Sequence, residues 1–165
     1  MAYPLENYFG LKRTYRHGQK TFYSPKHFGV DIIVPVGTPL VAWDDVKVIN
    51  RLVGSQGGLT LWVEWNGYIF RFLHLSEHGR IGSYKKGQLL GKTGNTGMSS
   101  APHVHVDAWS VKTGVTLKFE DCLDPDVIFN QEDIMEKSFV EAIEKLVGEK
   151  YGKNINNNEQ KDASG

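Results

Sequence analysis

The stretch SSAPHVHVDAW, residues 99–109, sets two histidines one residue apart inside an apolar run. Side chains alternate along a β-strand, so His103 and His105 share a face and Val104 takes the other. Two plain readings compete with a sharper one. The pair can be a half-exposed strand pair or a satisfied core pair. It can also be a metal site with a catalytic partner beside it. Both rings can reach one cavity without doing the same work, since one can ligate while the other serves as base or acid.

The surrounding sequence is written for strands. Residues 30–118 read as mostly β. Short runs such as VKVINRLV, LTLWVEW and YIFRFLHL are bounded by the turn signals SQGG, NG and GNTG. Asn66-Gly67 predicts a two-residue type I′ hairpin turn. YKKGQLLGKTG reads as a further tight strand pair. Strands this short and closely spaced predict an antiparallel sheet or a small sandwich. The pattern changes near residue 130, where Met135, Phe139, Ala142 and Leu146 recur at helical spacing. Asp133 and Glu136 resemble a capping box, which predicts a helix over 133–148 ending at Gly148. Residues 151–165 are polar and Asn-rich, the composition of a disordered tail or linker. The division expected is a β domain over 1–130, a C-terminal helix over 131–150 and a tail over 151–165.

The totals narrow the function classes. The chain has 165 residues, 40% of them hydrophobic, enough for one packed domain. Nineteen basic and nineteen acidic residues cancel. That balance gives no electrostatic footprint for nucleic acid and no polybasic membrane patch. A single cysteine, Cys122, excludes an internal disulfide and a Cys-based zinc knuckle, and reads as a small packed residue. The first twenty residues lack the apolar segment of a secretory signal, and no window approaches a membrane span.

Three places carry the informative histidines. In HFGVD, His27 and Asp31 stand four apart, which on a strand means one face, with Gly29 between them leaving room for a metal or substrate. HVH supplies His103 and His105. FLHL places His74 in an apolar strand, where a lone histidine is ordinarily a satisfied core residue. Together they are more specific than apart. Two histidines and a carboxylate make a catalytic zinc set with a fourth position open. Further histidines supply acid–base partners near neutral pH. That combination suits peptide-bond hydrolysis.

HFGVD, FLHLS and GKTGNTGMSSAPHVHV, in that order, resemble the lysostaphin-like M23 zinc metallopeptidases of bacterial cell walls, the LytM-type catalytic domain. VPVGTPLVAWD, KKGQLLGKTGNTG and the closing LDPDVIF extend the resemblance over residues 8–128. It implies a mainly β fold of the duplicated-hybrid-motif kind, a twisted antiparallel sheet with an open groove. It implies one Zn2+ per chain on His27, Asp31 and His105. His103 matches the general base toward the attacking water, and His74 the second active-site histidine that helps hold the transition state. Tyr23 is the candidate for the tyrosine found upstream of the first ligand. The implied substrates are stem or crossbridge peptides of peptidoglycan, with no nucleic acid or membrane partner and a monomeric chain. The lack of a recognisable signal suits phage-type release, as in an endolysin, or a fragment of a longer protein. A non-catalytic wall-binding or amidase-regulating module on the same fold is the alternative. A histidine phosphocarrier is a third reading, but it needs no ligand triad.

Overall fold

The computed structural model describes residues 9–10, 13–17, 19–24, 26–125 and 127–128. The helix expected over 133–148 and the tail after 150 lie outside the described residues. A hairpin comes first, β1 (Arg13–His17) with β2 (Lys20–Ser24), and among the described residues its strands pair only with each other. Then follow β3 (Gly29–Ile32), β4 (Pro39–Val41), β5 (Val46–Gly54), β6 (Gly58–Trp65) and β7 (Tyr68–Leu75). The short β8 (Glu77–His78), β9 (Gly82–Tyr84) and β10 (Leu89–Lys92) precede β11 (Val104–Ser110) and β12 (Cys122–Leu123).

The large antiparallel sheet runs β12-β11-β7-β6-β5-β9, and β3 joins the free edge of β11 beside β12. A smaller sheet runs β4-β10-β8. The core lies where the two meet. Val48, Leu61, Val63, Phe70, Phe72, Val104, Val106 and Ala108 of the large sheet cluster with Leu40 and Leu90 of the small one and with Trp43. These are the alternate positions of β5, β6, β7 and β11, so period-2 patterning drives their burial. The mainly β antiparallel architecture is the one expected. The Asn66-Gly67 turn is also as expected: φ is 49° and 82° at these residues, and Trp65 pairs with Tyr68.

Two local expectations change. YKKGQLLGKTG does not fold back on itself. β9 pairs with β5, whereas β10 pairs with β4 and β8, so the turn between them carries the chain from one sheet to the other. A turn signal reports a reversal, while the partners follow from the core, in which Leu90 is fully buried. Gly29 does not leave space for a ligand either. A Cβ there would come within 1.9 Å of the Val106 carbonyl oxygen, so the bare glycine lets β3 seat against β11.

Candidate active site

On β11 the core-facing Val104, Val106 and Ala108 alternate with His105, Asp107 and Trp109. The second set lies on the opposite face, where Trp109 joins Ile69 and Cys122 and packs with Phe28 and Trp62. β3 pairs His105 with Asp31, and His27 enters just before that strand. Three donor atoms therefore converge. His105 Nδ1 lies 2.9 Å from Asp31 Oδ1 and 3.0 Å from His27 Nε2, and His27 Nε2 lies 3.2 Å from Asp31 Oδ1. All three residues are buried.

This triangle fits a metal ion. Tetrahedral zinc with ligand distances of about 2.0–2.2 Å has ligand–ligand edges of about 3.3–3.6 Å, a few tenths of an ångström longer than the three edges seen, so a small spreading of the donors would seat an ion. Hydrogen bonds alone satisfy the triangle poorly, since the same Nδ1 faces two partners and each edge needs a proton of its own. The donor set of two imidazoles and one carboxylate is that of a hydrolytic zinc centre, and His27, Asp31 and His105 could hold one ion. Buried Asp31 stays ionised: burial alone would raise its pKa, but hydrogen bonds and charge from His105 and His27 hold it far below the usual carboxylate range. Burial alone would lower the pKa of His105, yet contacts with Asp107 and Asp31 outweigh it and push the value up to about 9.

His74 reaches the same place by a different device. β7 would place His74 on the face of Phe70 and Phe72 if it ran regularly. The β6–β7 register instead passes from Leu61↔Phe72 to Leu59↔Leu75, two residues against three. The extra residue is a bulge, and His74 takes a left-handed φ of 65°. Leu75 then fills the core in place of His74. The His74 ring lies 4.7 Å from that of His103 and 6.4 Å from that of His105. The SQGG and GNTG turns brace the bulge: His74 N–H donates to the Gly57 carbonyl at 2.8 Å, and Thr96 Oγ1 to the Leu75 carbonyl at 2.7 Å. Gly94 is bare because a Cβ would meet Ser76 N at 2.4 Å and His74 O at 2.6 Å.

The two non-triad rings share one tautomer. His74 Nδ1 lies 2.8 Å from the Thr96 carbonyl, and His103 Nδ1 lies 2.8 Å from the Ala101 carbonyl. A carbonyl can only accept, so in the neutral form of each ring Nδ1 carries the proton and Nε2 the lone pair. Nε2 of His103 lies 3.7 Å from Asp31 Oδ1 and makes no hydrogen bond among the described residues. Burial first, then the repulsion that a protonated His103 would exert, lowers the His74 pKa to about 4. A cleft of about 350 Å3 opens here, lined by His27, His74 and His105 with Phe28, Gln56, Gly57, Arg71, Leu73, Met98, Asp107 and Leu117.

Of the expected residues, His27, His74 and His105 line the cleft, while Asp31 lies against His27 and His105, and His103 beside His74. Tyr23 sits on β2 opposite Thr14, upstream of His27. Cys122 is buried, and burial pushes its thiol up to about 12, which suits the packing role expected of it. Sequence reasoning missed Asp107 and Arg71. Their signal was present, an Asp two residues past His105 on the same face, but its partner is 36 residues away.

Residues 25–117 match the profile of Peptidase family M23. The chain belongs to peptidase family M23. It is 38% identical over 87 residues to lysostaphin of Staphylococcus simulans, and 35% identical over 86 residues to the peptidoglycan DD-endopeptidase ShyA of Vibrio cholerae. These stretches cover 48% and 49% of the chain but 17% and 20% of the relatives, so the M23 chain spans less than a third of the length of these curated relatives. The solved catalytic domain of lysostaphin superposes with a TM-score of 0.58 and 26% identity, over 74% of this chain and 87% of that one. Among the described residues no helix is long and apolar enough to cross a membrane.

Proposed function

We propose that this M23 chain is a zinc-dependent endopeptidase that hydrolyses peptide crossbridges of bacterial peptidoglycan. The observation that carries the reading is the convergence of His27 Nε2, Asp31 Oδ1 and His105 Nδ1, with the bare Nε2 of His103 3.7 Å from the same carboxylate oxygen. His27, Asp31 and His105 would hold the zinc ion, which would supply a Lewis acid for the attacking water and the scissile carbonyl. The chain supplies the proton handling. His103 Nε2 accepts the proton of the attacking water, and the Ala101 carbonyl keeps Nδ1–H pointed away from it. The imidazolium so formed has an Nε2–H to pass to the leaving amine. His74, set beside His103 by the bulge, is the second histidine assigned to the transition state, and Tyr23 is carried as a further participant. The open cleft admits an extended peptide along its Met98 and Leu117 walls.

The test is clearing of purified cell walls, with metal content measured in parallel. His103→Ala keeps stoichiometric zinc and loses about 10²–10⁴-fold in rate. His105→Ala loses both zinc and activity. Clearing that survives complete zinc removal overturns the proposal. Bound zinc without turnover on any wall type turns it toward a binding module.

A further inference from the structure

Beyond the triad, β11 carries a second buried carboxylate. Asp107 is fully buried and points to the same face as His105. It pairs across the ladder with Arg71 of β7. Arg71 Nε donates to Oδ1 at 2.8 Å and Nη2 to Oδ2 at 2.6 Å, a two-pronged grip that fixes the plane of the carboxylate. Trp109 Nε1 donates to Oδ1 at 2.6 Å. The Arg71 guanidinium is itself set 5.9 Å from the Trp62 ring and 5.5 Å from the Trp109 ring. Asp107 Oδ2 lies 3.5 Å from Nε2 of His105, the ring nitrogen opposite the one that faces Asp31 and His27.

We propose that Asp107 is the positioning residue of the metal site: it takes the Nε2–H of His105 and so commits Nδ1, as a lone pair, to the ion. This rests on the zinc-hydrolase reading. A neutral imidazole has one proton for two nitrogens, and the neighbour of one nitrogen decides what the other can do. An acceptor at Nε2 selects the tautomer that can ligate through Nδ1. That acceptor is useful only if it cannot swing, and three donor contacts from Arg71 and Trp109 hold it. Arg71 also compensates a charge that burial would otherwise penalise. The order of dependence is Arg71 on Asp107, Asp107 on His105, His105 on the metal.

The experiment uses the full chain, with zinc affinity read by competition against a chromophoric chelator. Asp107→Asn weakens zinc about 10–100-fold. Arg71→Lys keeps the charge but loses the two-pronged grip, and weakens zinc less. The double variant is no weaker than Asp107→Asn alone, because both changes act through one carboxylate. Nitrogen-15 spectra of the zinc-loaded chain show the His105 proton on Nε2 in both, exchanging slowly with water in the parent and faster in Asp107→Asn, where its carboxylate acceptor is gone. Zinc affinity within twofold of the parent, with only the thermal midpoint changed, overturns the proposal and marks Asp107 as structural. If Asp107→Asn fails to fold, Arg71→Lys decides alone: unchanged zinc affinity overturns, a clear loss supports. A parent chain that binds no zinc fails the hydrolase reading instead, so the two failures are distinct.

Discussion

β11 and β7 lie side by side and both deliver histidine to the cleft, yet by opposite means. β11 is regular. Its alternation sends Val104, Val106 and Ala108 into the core and His105, Asp107 and Trp109 to the site face. β7 is regular only as far as Phe72. One extra residue then reverses its phase, turning His74 toward the cleft and Leu75 into the core. The bulge sits where the chain leaves the large sheet for β8 of the small one. A regular strand places a ligand rigidly. A bulge aims one ring that the pleat would have buried, at the cost of a left-handed histidine.

The comparison can be broken most severely by deleting Leu73. Removing the extra residue restores continuous pairing of β7 with β6 and leaves Leu75 two positions after Phe72, in phase with the core. The expected outcome is a folded chain that keeps zinc and clears walls about 100-fold more slowly or worse, judged by circular dichroism, metal content and turbidity. Parent-level turnover would show that the bulge is not needed to aim His74.

Gly94→Ala presses on the same bulge from outside. The new methyl meets the backbone of His74 and Ser76 at 2.6 and 2.4 Å, so the segment must shift. A loss of about 1–3 kcal/mol in chemical unfolding is expected, with a several-fold fall in rate and unchanged zinc affinity. A fall in zinc affinity equal to the fall in rate would mean that the two strands are not independent.

The smallest effect is a pH dependence of the metal-free chain. The His74 pKa is pushed down to about 4 by burial and by His103, from an ordinary 6.5. The unfolded chain therefore takes up a proton that the folded chain refuses. His74's contribution is complete above pH 6.5 and is lost as the pH falls toward 4. Thermal midpoints across that window should decline, and His74→Gln should flatten the decline. Identical slopes for parent and variant would place the His74 ring in water.

Much of this was legible in one dimension. β5, β6 and β7 follow the runs VKVINRLV, LTLWVEW and YIFRFLHL, since alternating branched and aromatic residues need a half-buried sheet. The hairpin Arg13–His17 with Lys20–Ser24 was not, because RTYRH and KTFYS lack the branched-apolar alternation of the other strands. By strand pattern alone His74 reads as a core residue, because an extra residue in β7 is visible only against its partner β6; its place at the site came from the resemblance. Asp107 looked unremarkable because a charged strand residue is ordinarily solvated, and the Arg71 that compensates it comes from a different strand.

By itself, the order HFGVD, FLHL, HVH determined the chemistry available, for donor type and strand period are local properties. Only the tertiary structure decided how it is deployed. Pairing of β3 with β11 set three donor atoms within a metal's reach. A bulge measured against β6 turned His74 around. A cross-strand Arg71 made Asp107 a fixed acceptor. Each depends on residues distant in sequence, and such contacts exist only once the sheets have closed on a shared core.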